Sequence, residues 1–532
     1  MATTVENQIA SDAKVLQSYL GGKWQAGAER GTPLVNPCDG TVLAWASSKG
    51  LDLKSALDHS RNVGGPELRK LTYAQRAELL VKIADLLATR RDQWYDIARK
   101  NSGNTKADAG IDVDGAIFTL KYFAKAAAKL GNAHMLRDGT PARLAKDPNF
   151  QGVHVGVPLE GVAVHINAFN FPSWGLWEKA AVSLLAGVPV LAKPATSTAW
   201  LAQEMVNAVI EAGILPPGAL SILCGSPNDL LDHLRLGDAM AFTGSADTGL
   251  AIRQRVGQAV RLNIEADSLN SALLGPDTTP GSPAFDFLVR EVVREMTAKT
   301  GQKCTAIRRV LVPAEHAAAA TDAIAAALGK IVVGNPANPA VTMGPLVNMA
   351  QRKSVEDGVR KLSEQAQIAY RPEPFRPLDA NLEHGAFAPP TLLKLGSSGG
   401  GEIVNQIEVF GPVATVIPYR NPEDAFAVAR RGGGSLAASV FSGDTAFLAE
   451  AAAALGTTHG RLLLVDPAIG DSHPGHGIVL PSLMHGGPGR AGGGEELGGL
   501  HGLWFYHQRV AMQGSTVTLS ALAAQAADPS TE

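Results

Sequence analysis

From residue 161 onward the chain repeats a pattern that few architectures can satisfy: a short apolar run, then a helix-length stretch. Val162-Ala163-Val164-His165-Ile166 leads into a helical segment over 174–186. Val188-Pro189-Val190-Leu191-Ala192 leads into another over 200–212. Leu220-Ser221-Ile222-Leu223, Met240-Ala241-Phe242 and Arg261-Leu262-Asn263-Ile264 continue the series. Short apolar runs alternating with helices imply βαβ units and an α/β fold built on a parallel sheet. Ligands of such sheets sit beyond the carboxyl ends of the strands. The residues just after each run therefore carry the functional information.

A second alternating block runs over about 285–441, with a credible hinge at 274–281, where Gly275-Pro276 and Pro280-Gly281 punctuate the chain. A length of 532 residues likewise calls for two or three domains. Upstream, 73–100 and 112–130 carry apolar positions at helical spacing. Residues 151–157 alternate like an exposed strand, and strand character returns at 510–512 and 516–519. The stretch 484–499 is strongly glycine-rich and reads as a flexible loop over a site.

A formal charge of −3 gives no general pull toward nucleic acid or anionic lipid. The opening residues have neither a basic n-region nor an apolar h-region, so no signal peptide is read. No run of about 18 apolar residues suggests a membrane span. Cys38, Cys224 and Cys304 are far apart, odd in number and without a CxxC pair. A reducing cytoplasm fits that usage.

Candidate chemistry gathers at the run ends. Cys304, in Gly301-Gln302-Lys303-Cys304, lies where a helix gives way to the strand-like 309–312. Its thiolate would be a strong nucleophile, although a lone cysteine is commonly inert core. Asn170 follows the first run and offers an amide to an oxyanion, or simply caps a turn. Lys193 ends the second run and could meet a phosphate or ribose, unless it is a solvated lysine. Small residues in Phe242-Thr243-Gly244-Ser245-Ala246-Asp247-Thr248-Gly249 would let backbone amides approach a diphosphate. Glu265 ends an apolar strand, where a carboxylate is costly unless it serves as a base or has a partner. The GxGxxG match at 487–492 is set aside because further glycines prevent a following helix. A metal site built on His473, His476 and His485 is set aside as well, since their loop lacks acidic or thiol partners at zinc spacing.

Taken in order, FNFP (169–172), LAKPA (191–195), FTGSADTG (242–249), the Glu265 strand, GQKC (301–304) and EVFGPV (408–413) resemble the aldehyde dehydrogenase superfamily. The resemblance covers nearly the whole chain. It implies a Rossmann-type cofactor domain (1–139 and 159–275), an α/β catalytic domain (276–482) and oligomerisation strands (140–158 and 501–522). The glycine-rich loop 483–500 would lie near the active site. Cys304 becomes the nucleophile and Glu265 the base that activates water. The Asn170 amide and the Cys304 backbone N–H would hold the oxyanion. Lys193, Thr196, Phe242, Gly244, Ser245, Gly249, Glu408 and Phe410 would surround the dinucleotide, with Glu408 on the nicotinamide ribose. Lys179 and Glu496 match a pair that relays protons in some members.

Two departures stand out. The Glu265 strand continues Glu-Ala-Asp-Ser where the family usually reads Glu-Leu-Gly-Gly, leaving Asp267 as the nearby substitute base. Many NAD-using members carry a Glu three residues after the Lys193 equivalent; here Thr196 stands there, which removes a clash with a 2′-phosphate. NADP is therefore expected to serve at least as well as NAD. The stretch 485–499 resembles the branch of the superfamily that works on ring-opened CoA thioesters in aromatic catabolism, benzoate degradation among them. The expected substrate is an aldehyde of the CoA-linked kind, and the expected assembly a homodimer or larger. Rival readings are a CoA-acylating dehydrogenase and a cysteine hydrolase that uses His165 or His473.

Overall fold

The computed structural model describes residues 13–530. The opening residues 1–12, read above as carrying no leader, lie outside the described residues.

One seven-stranded sheet contains, in spatial order, Arg261–Glu265, Ala239–Thr243, Ala163–Ile166, Val190–Lys193 and Leu220–Ile222, all parallel. Two antiparallel edge strands, Ser18–Leu20 and Lys23–Gln25, complete it. The chain starts at Ala163–Ile166, builds outward in one direction, then returns to add Ala239–Thr243 on the other side. That reversal opens a crevice at the carboxyl ends, the place where doubly wound sheets bind ligands. The run ends inspected above all point there.

A second seven-stranded sheet runs Gln367–Tyr370, Thr391–Lys394, Val413–Tyr419, Ile307–Pro313, Asn270–Leu274, Ser435–Phe441 and His459–Val465. Asn270–Leu274 belongs to this sheet, so the chain passes between sheets in the four residues after Glu265. The expected boundary at 275/276 falls one strand too late. The Gly-Pro turn there connects Asn270–Leu274 to the helix Pro283–Thr297 within the same unit. Turn chemistry marks a turn, and it carries no information about which sheet its strands join.

A four-stranded sheet pairs Met135–Arg143, Phe150–Pro158, His507–Ser515 and the short Ala526–Ala527. The strand expected at 516–519 is instead the start of the helix Thr516–Ala523. Ser515 caps that helix by accepting a hydrogen bond from the Thr518 amide, and such a cap overrides the β preference of Thr and Val. The periodic stretch 73–100 divides into Tyr73–Thr89 and Arg91–Ser102, broken at Arg90.

Buried contacts fix the helix Trp174–Ala186, which carries Lys179. Asp112, on the neighbouring helix Lys106–Ala128, accepts hydrogen bonds from the Trp174 amide at 2.7 Å and the Ser173 amide at 3.4 Å. A carboxylate at a helix N-terminus satisfies orphaned N–H groups and favours the helix dipole. Trp177 is fully buried one turn later, so this helix has little freedom to shift.

Candidate active site

Cys304 sits between the two sheets, three residues before Ile307–Pro313. The turn that aims it is strained. Lys299 and Thr300 have φ of 51° and 56°, and Gly301 has 66°. Left-handed backbone at non-glycine residues costs of order 1–3 kcal/mol each and needs outside support. Asp108 supplies part of it, accepting from the Lys299 amide at 2.7 Å, and Thr300 Oγ1 donates to the Gly344 carbonyl at 2.9 Å. A Cβ at Gly301 would lie 2.2 Å from the Gly411 carbonyl oxygen, which explains the first letter of GQKC. Lys303 points away and makes a buried ion pair with Glu295 at 2.7 Å. Asn270 Nδ2 donates to the Cys304 carbonyl at 2.8 Å and to the Ala306 carbonyl at 3.0 Å, holding the loop from the next strand.

The sulfur meets two cavities. One, of about 330 Å³, opens over the first sheet, and its walls include Asn170, Gly244, Ser245, Glu265, Glu408 and Phe410. The other, of about 220 Å³, is largely apolar and is walled by Phe118, Phe171, Trp174, Ile478, Val479 and Leu480. Cys304 lines both. The side-chain amide of Asn170 has no hydrogen-bond partner among the described residues, which leaves its donors free for a ligand.

The remaining expected residues divide. Phe242 packs in the core beneath Gly244, and Gly249 lies against Ile264; neither lines the cavity. Lys193 is buried at the end of Val190–Lys193, beside Cys224, and burial lowers its ammonium pKa. Thr196 Oγ1 donates to the Gly225 carbonyl at 3.2 Å. These two lie off the walls, whereas Ala195 between them reaches the cavity. Ser245 caps the helix Ala246–Val256, whose first amide is taken by Asp267 at 3.2 Å. Asp267 is thus a cavity wall residue bound to a helix end. Glu408 accepts from the Ser268 amide at 3.0 Å and faces Arg308 at 3.4 Å. Burial pushes its carboxyl up to about 7, partly offset by Arg308.

Behind Glu265 lies a buried charge cluster. Lys179 Nζ is 2.5 Å from Glu178 and 2.9 Å from Glu496. Carboxylate oxygens of Glu178, Glu265 and Glu496 all fall within 4.8 Å of one another. Burial and the neighbouring Glu496 raise the Glu178 carboxyl well above the usual range, against the opposing pull of Lys179. The resemblance that singled out Lys179 and Glu496 carried no sign of Glu178, the immediate neighbour of Lys179.

The glycine-rich stretch is an ordered hairpin rather than a flexible loop. Met484–Gly486 pairs with Glu495–Leu497, with His485 opposite Glu496. Asn263 ties the hairpin to the Glu265 strand, donating to Glu496 at 2.9 Å and accepting from the Glu495 amide at 2.8 Å. This arrangement delivers a residue whose role the sequence hid. His485 Nε2 lies 3.2 Å from Glu265 Oε1 and 4.0 Å from Cys304 Sγ. His485 lacks acidic and thiol partners along its own loop, but it finds both from distant segments. His165, by contrast, is hydrogen-bonded to the Tyr506 hydroxyl at 3.0 Å, and burial lowers its pKa to about 3.

Burial would raise the Glu265 carboxyl, but His485 once it carries a proton, with Lys179 and the Cys304 thiol, outweighs burial and holds the group below its ordinary range. Burial and Glu265 push the Cys304 thiol well up, so the resting residue is a thiol. Cys304, the Glu265 carboxylate and the free Asn170 amide line one cavity, a grouping that nucleophilic attack on a carbonyl would need.

Comparison with known proteins places this geometry. A protein from Aromatoleum evansii, 3,4-dehydroadipyl-CoA semialdehyde dehydrogenase, is 52% identical over 477 residues, covering 89% of this chain and 93% of that protein. The 3-sulfolactaldehyde dehydrogenase of Priestia megaterium is 26% identical over 82% of this chain and 86% of its own length. Among solved structures, Staphylococcus aureus betaine aldehyde dehydrogenase in complex with NAD+ superposes with a TM-score of 0.79 at 23% identity, covering 94% of this chain and 95% of that one. That last likeness speaks to the fold. The profile of the aldehyde dehydrogenase family matches residues 24–498. With the family profile spanning about nine-tenths of the chain and the architecture in accord, the chain belongs to the aldehyde dehydrogenase family and is an NAD(P)-dependent aldehyde oxidoreductase.

Proposed function

We propose that this chain oxidises a CoA-linked semialdehyde, of the 3,4-dehydroadipyl-CoA semialdehyde type, to the carboxylic acid, with NADP as the preferred acceptor. The observation that carries the reading is the position of Cys304, which lines both the cavity over the first sheet, where Asn170, Glu265 and Glu408 also stand, and a second, apolar cavity. The 52% identity to the Aromatoleum evansii enzyme supports the substrate class. Such a substrate would belong to the breakdown of benzoate and other aromatic acids.

The residues around the first cavity suit a dinucleotide. The crevice lies at the reversal point of the parallel sheet, and Gly244 lets its floor rest directly on the Phe242 ring, which a Cβ would meet at 2.5 Å. Ser245 and the N-terminus of Ala246–Val256 would hold the diphosphate, Glu408 and Phe410 the nicotinamide riboside, and Lys193 and Thr196 the adenosine ribose. When bound, the nicotinamide accepts the hydride that leaves the aldehyde carbon. The chain supplies the rest. Cys304 attacks the aldehyde carbon, and Asn170 with the Cys304 backbone N–H stabilises the oxyanion. Glu265 then draws a proton from water, which hydrolyses the thioacyl enzyme. Lys179, Glu178 and Glu496 take that proton onward from Glu265.

Transfer to CoA rather than water, the rival kept from the sequence, is disfavoured by the ionised Glu265 beside the sulfur. We further propose a homodimer or larger assembly. The nine-residue strand His507–Ser515 forms an open edge of its sheet, available for a second copy. No described helix is long and apolar enough to cross a membrane, and the three free cysteines suit a reducing cytoplasm.

The test is a panel of CoA-linked and simple semialdehydes with each cofactor, following nicotinamide absorbance and identifying the product. The reading requires higher kcat/KM for CoA-linked aldehydes, preference for NADP, and a free acid as product. Equal rates across the panel, or a new thioester, would reject it.

A further inference from the structure

His485 does not belong to any of the motifs that mark the family, yet its ring is the nearest side chain able to take a proton and become a cation beside the sulfur. It is 2% exposed. Its ring packs edge-on against Trp174, centroid to centroid 5.8 Å, which fixes its orientation. Its backbone is held in the hairpin opposite Glu496. Nε2 faces Cys304 Sγ at 4.0 Å and Glu265 Oε1 at 3.2 Å, so one nitrogen serves both reacting side chains.

We propose that His485 is a catalytic residue of this enzyme: its Nε2 takes the Cys304 proton as sulfur attacks the aldehyde, and the resulting imidazolium holds the thiolate and Glu265 apart electrically. The inference rests on the reading of Cys304 as nucleophile and adds the proton acceptor that reading lacks. The need for an acceptor follows from the surroundings. A thiolate here would feel the charges of Glu265, Glu178 and Glu408, with Arg308 and Arg461 as cations that favour it. Three carboxylates facing one sulfur oppose its ionisation. A proton moved only to Glu265 would neutralise the base required for the next step. A proton moved to His485 leaves Glu265 ionised and places a positive charge between two negative ones.

The balance closes. The S–H bond breaks and its proton goes to Nε2; the sulfur pair forms the C–S bond, and the carbonyl π pair becomes the oxyanion. The oxyanion collapses as the C–H pair leaves as hydride, so the aldehyde is oxidised to a thioester and the nicotinamide is reduced. Water then attacks with its proton passing to Glu265, the C–S bond breaks, and sulfur recovers its proton from Nε2. The net release is one proton, leaving through Glu265.

The test reads the thiol without turnover. Cys304 alkylation by iodoacetamide is followed against pH by peptide mass, in the absence of cofactor and aldehyde. Cys38 and Cys224 are buried and serve as internal references. His485→Gln is expected to slow alkylation at neutral pH at least about tenfold and to move the inflection up by about one unit or more, the shift expected when a neighbouring cation is lost. Glu265→Gln is expected to leave the rate equal or faster, because it removes a repelling charge. His485→Ala is expected to recover alkylation on addition of free imidazole. In rapid mixing with NADP and aldehyde, His485→Gln should slow the burst itself, whereas Glu265→Gln should keep the burst and lose turnover. An unchanged inflection in both His485 variants overturns the proposal, as does a loss of alkylation seen only with Glu265→Gln. A Cys304→Ala enzyme with full activity would instead sink the nucleophile assignment, so the two failures are separable.

Discussion

Lys179→Met removes the only ammonium bonded within a buried group of three carboxylates. The oxygens of Glu178, Glu265 and Glu496 lie within 4.8 Å of one another, and Lys179 Nζ touches two of them at 2.5 and 2.9 Å. A unit charge roughly 5 Å from Glu265, at an effective dielectric of about 20, is worth about 3 kcal/mol or about 2 pH units. These groups are buried, so solvent screening takes little from that figure. Losing a cation favours the protonated carboxyl, so the Glu265 pKa rises. The base is then lost as pH falls through the raised value. At saturating aldehyde and cofactor, the acid limb of kcat moves up by about 2 pH units relative to the parent. The burst of reduced nicotinamide persists, because acylation does not use Glu265 as base. Breaking a buried pair costs about 3–5 kcal/mol of stability, so the variant also needs a folded control. Lys179→Met/Glu178→Gln supplies one: both partners of the 2.5 Å pair go together, so neither charge is left buried without the other. Because the Glu265 carboxyl starts at about 2, steady-state profiles of both variants must be carried down to about pH 4 or below to decide the matter. An acid limb coincident with that of the parent, in a variant shown to be folded, would refute the claim that Lys179 keeps Glu265 ionised.

Further outcomes follow from the same geometry. Asn170→Ala should lower turnover by about 10²–10³, the usual size of a lost oxyanion donor, seen as a slower burst with little change in cofactor affinity. Thr196→Glu places a carboxylate near a 2′-phosphate and should shift the ratio of kcat/KM away from NADP by about 1–4 kcal/mol, with NAD affected far less. Glu408 titrates at about 7, and only its ionised form accepts both ribose hydroxyls, so cofactor KM should rise as pH falls through neutrality. Glu408→Gln should flatten that dependence; an unchanged profile would remove Glu408 from the ribose site.

Much of the fold was written in the sequence, because burial on a parallel sheet imposes the alternation of apolar runs and helices that opened the reading. Cys304, Asn170 and Glu265 could be picked out for a related reason: they stand at strand or helix ends, where the crevice must be. The misplaced sheet boundary at 275 has a different origin. Gly-Pro punctuation reports local backbone, whereas sheet membership depends on long-range pairing such as Ala272 beside Val310 and Ser439. The helix Thr516–Ala523 was hidden by the opposite weighting, with β-prone side chains outvoted by one capping serine. His485 was weighed only as a metal ligand and set aside because its partners are remote in the chain: Cys304 reaches it across 181 residues. The glycines around it signalled flexibility, although they allow a hairpin to lie flat against the Glu265 strand. Glu178 left no trace, because a buried glutamic acid looks like any surface glutamate until the neighbouring carboxylates are in place.

The account depends on an acyl group resting on one sulfur atom. In Glu265→Gln, given NADP and a CoA-linked semialdehyde, one turnover should leave that acyl group trapped. Intact mass should then rise by the acyl increment, and peptide mapping should place the adduct on Cys304. Sustained turnover of the Glu265→Gln enzyme with Cys304 unmodified throughout would contradict it.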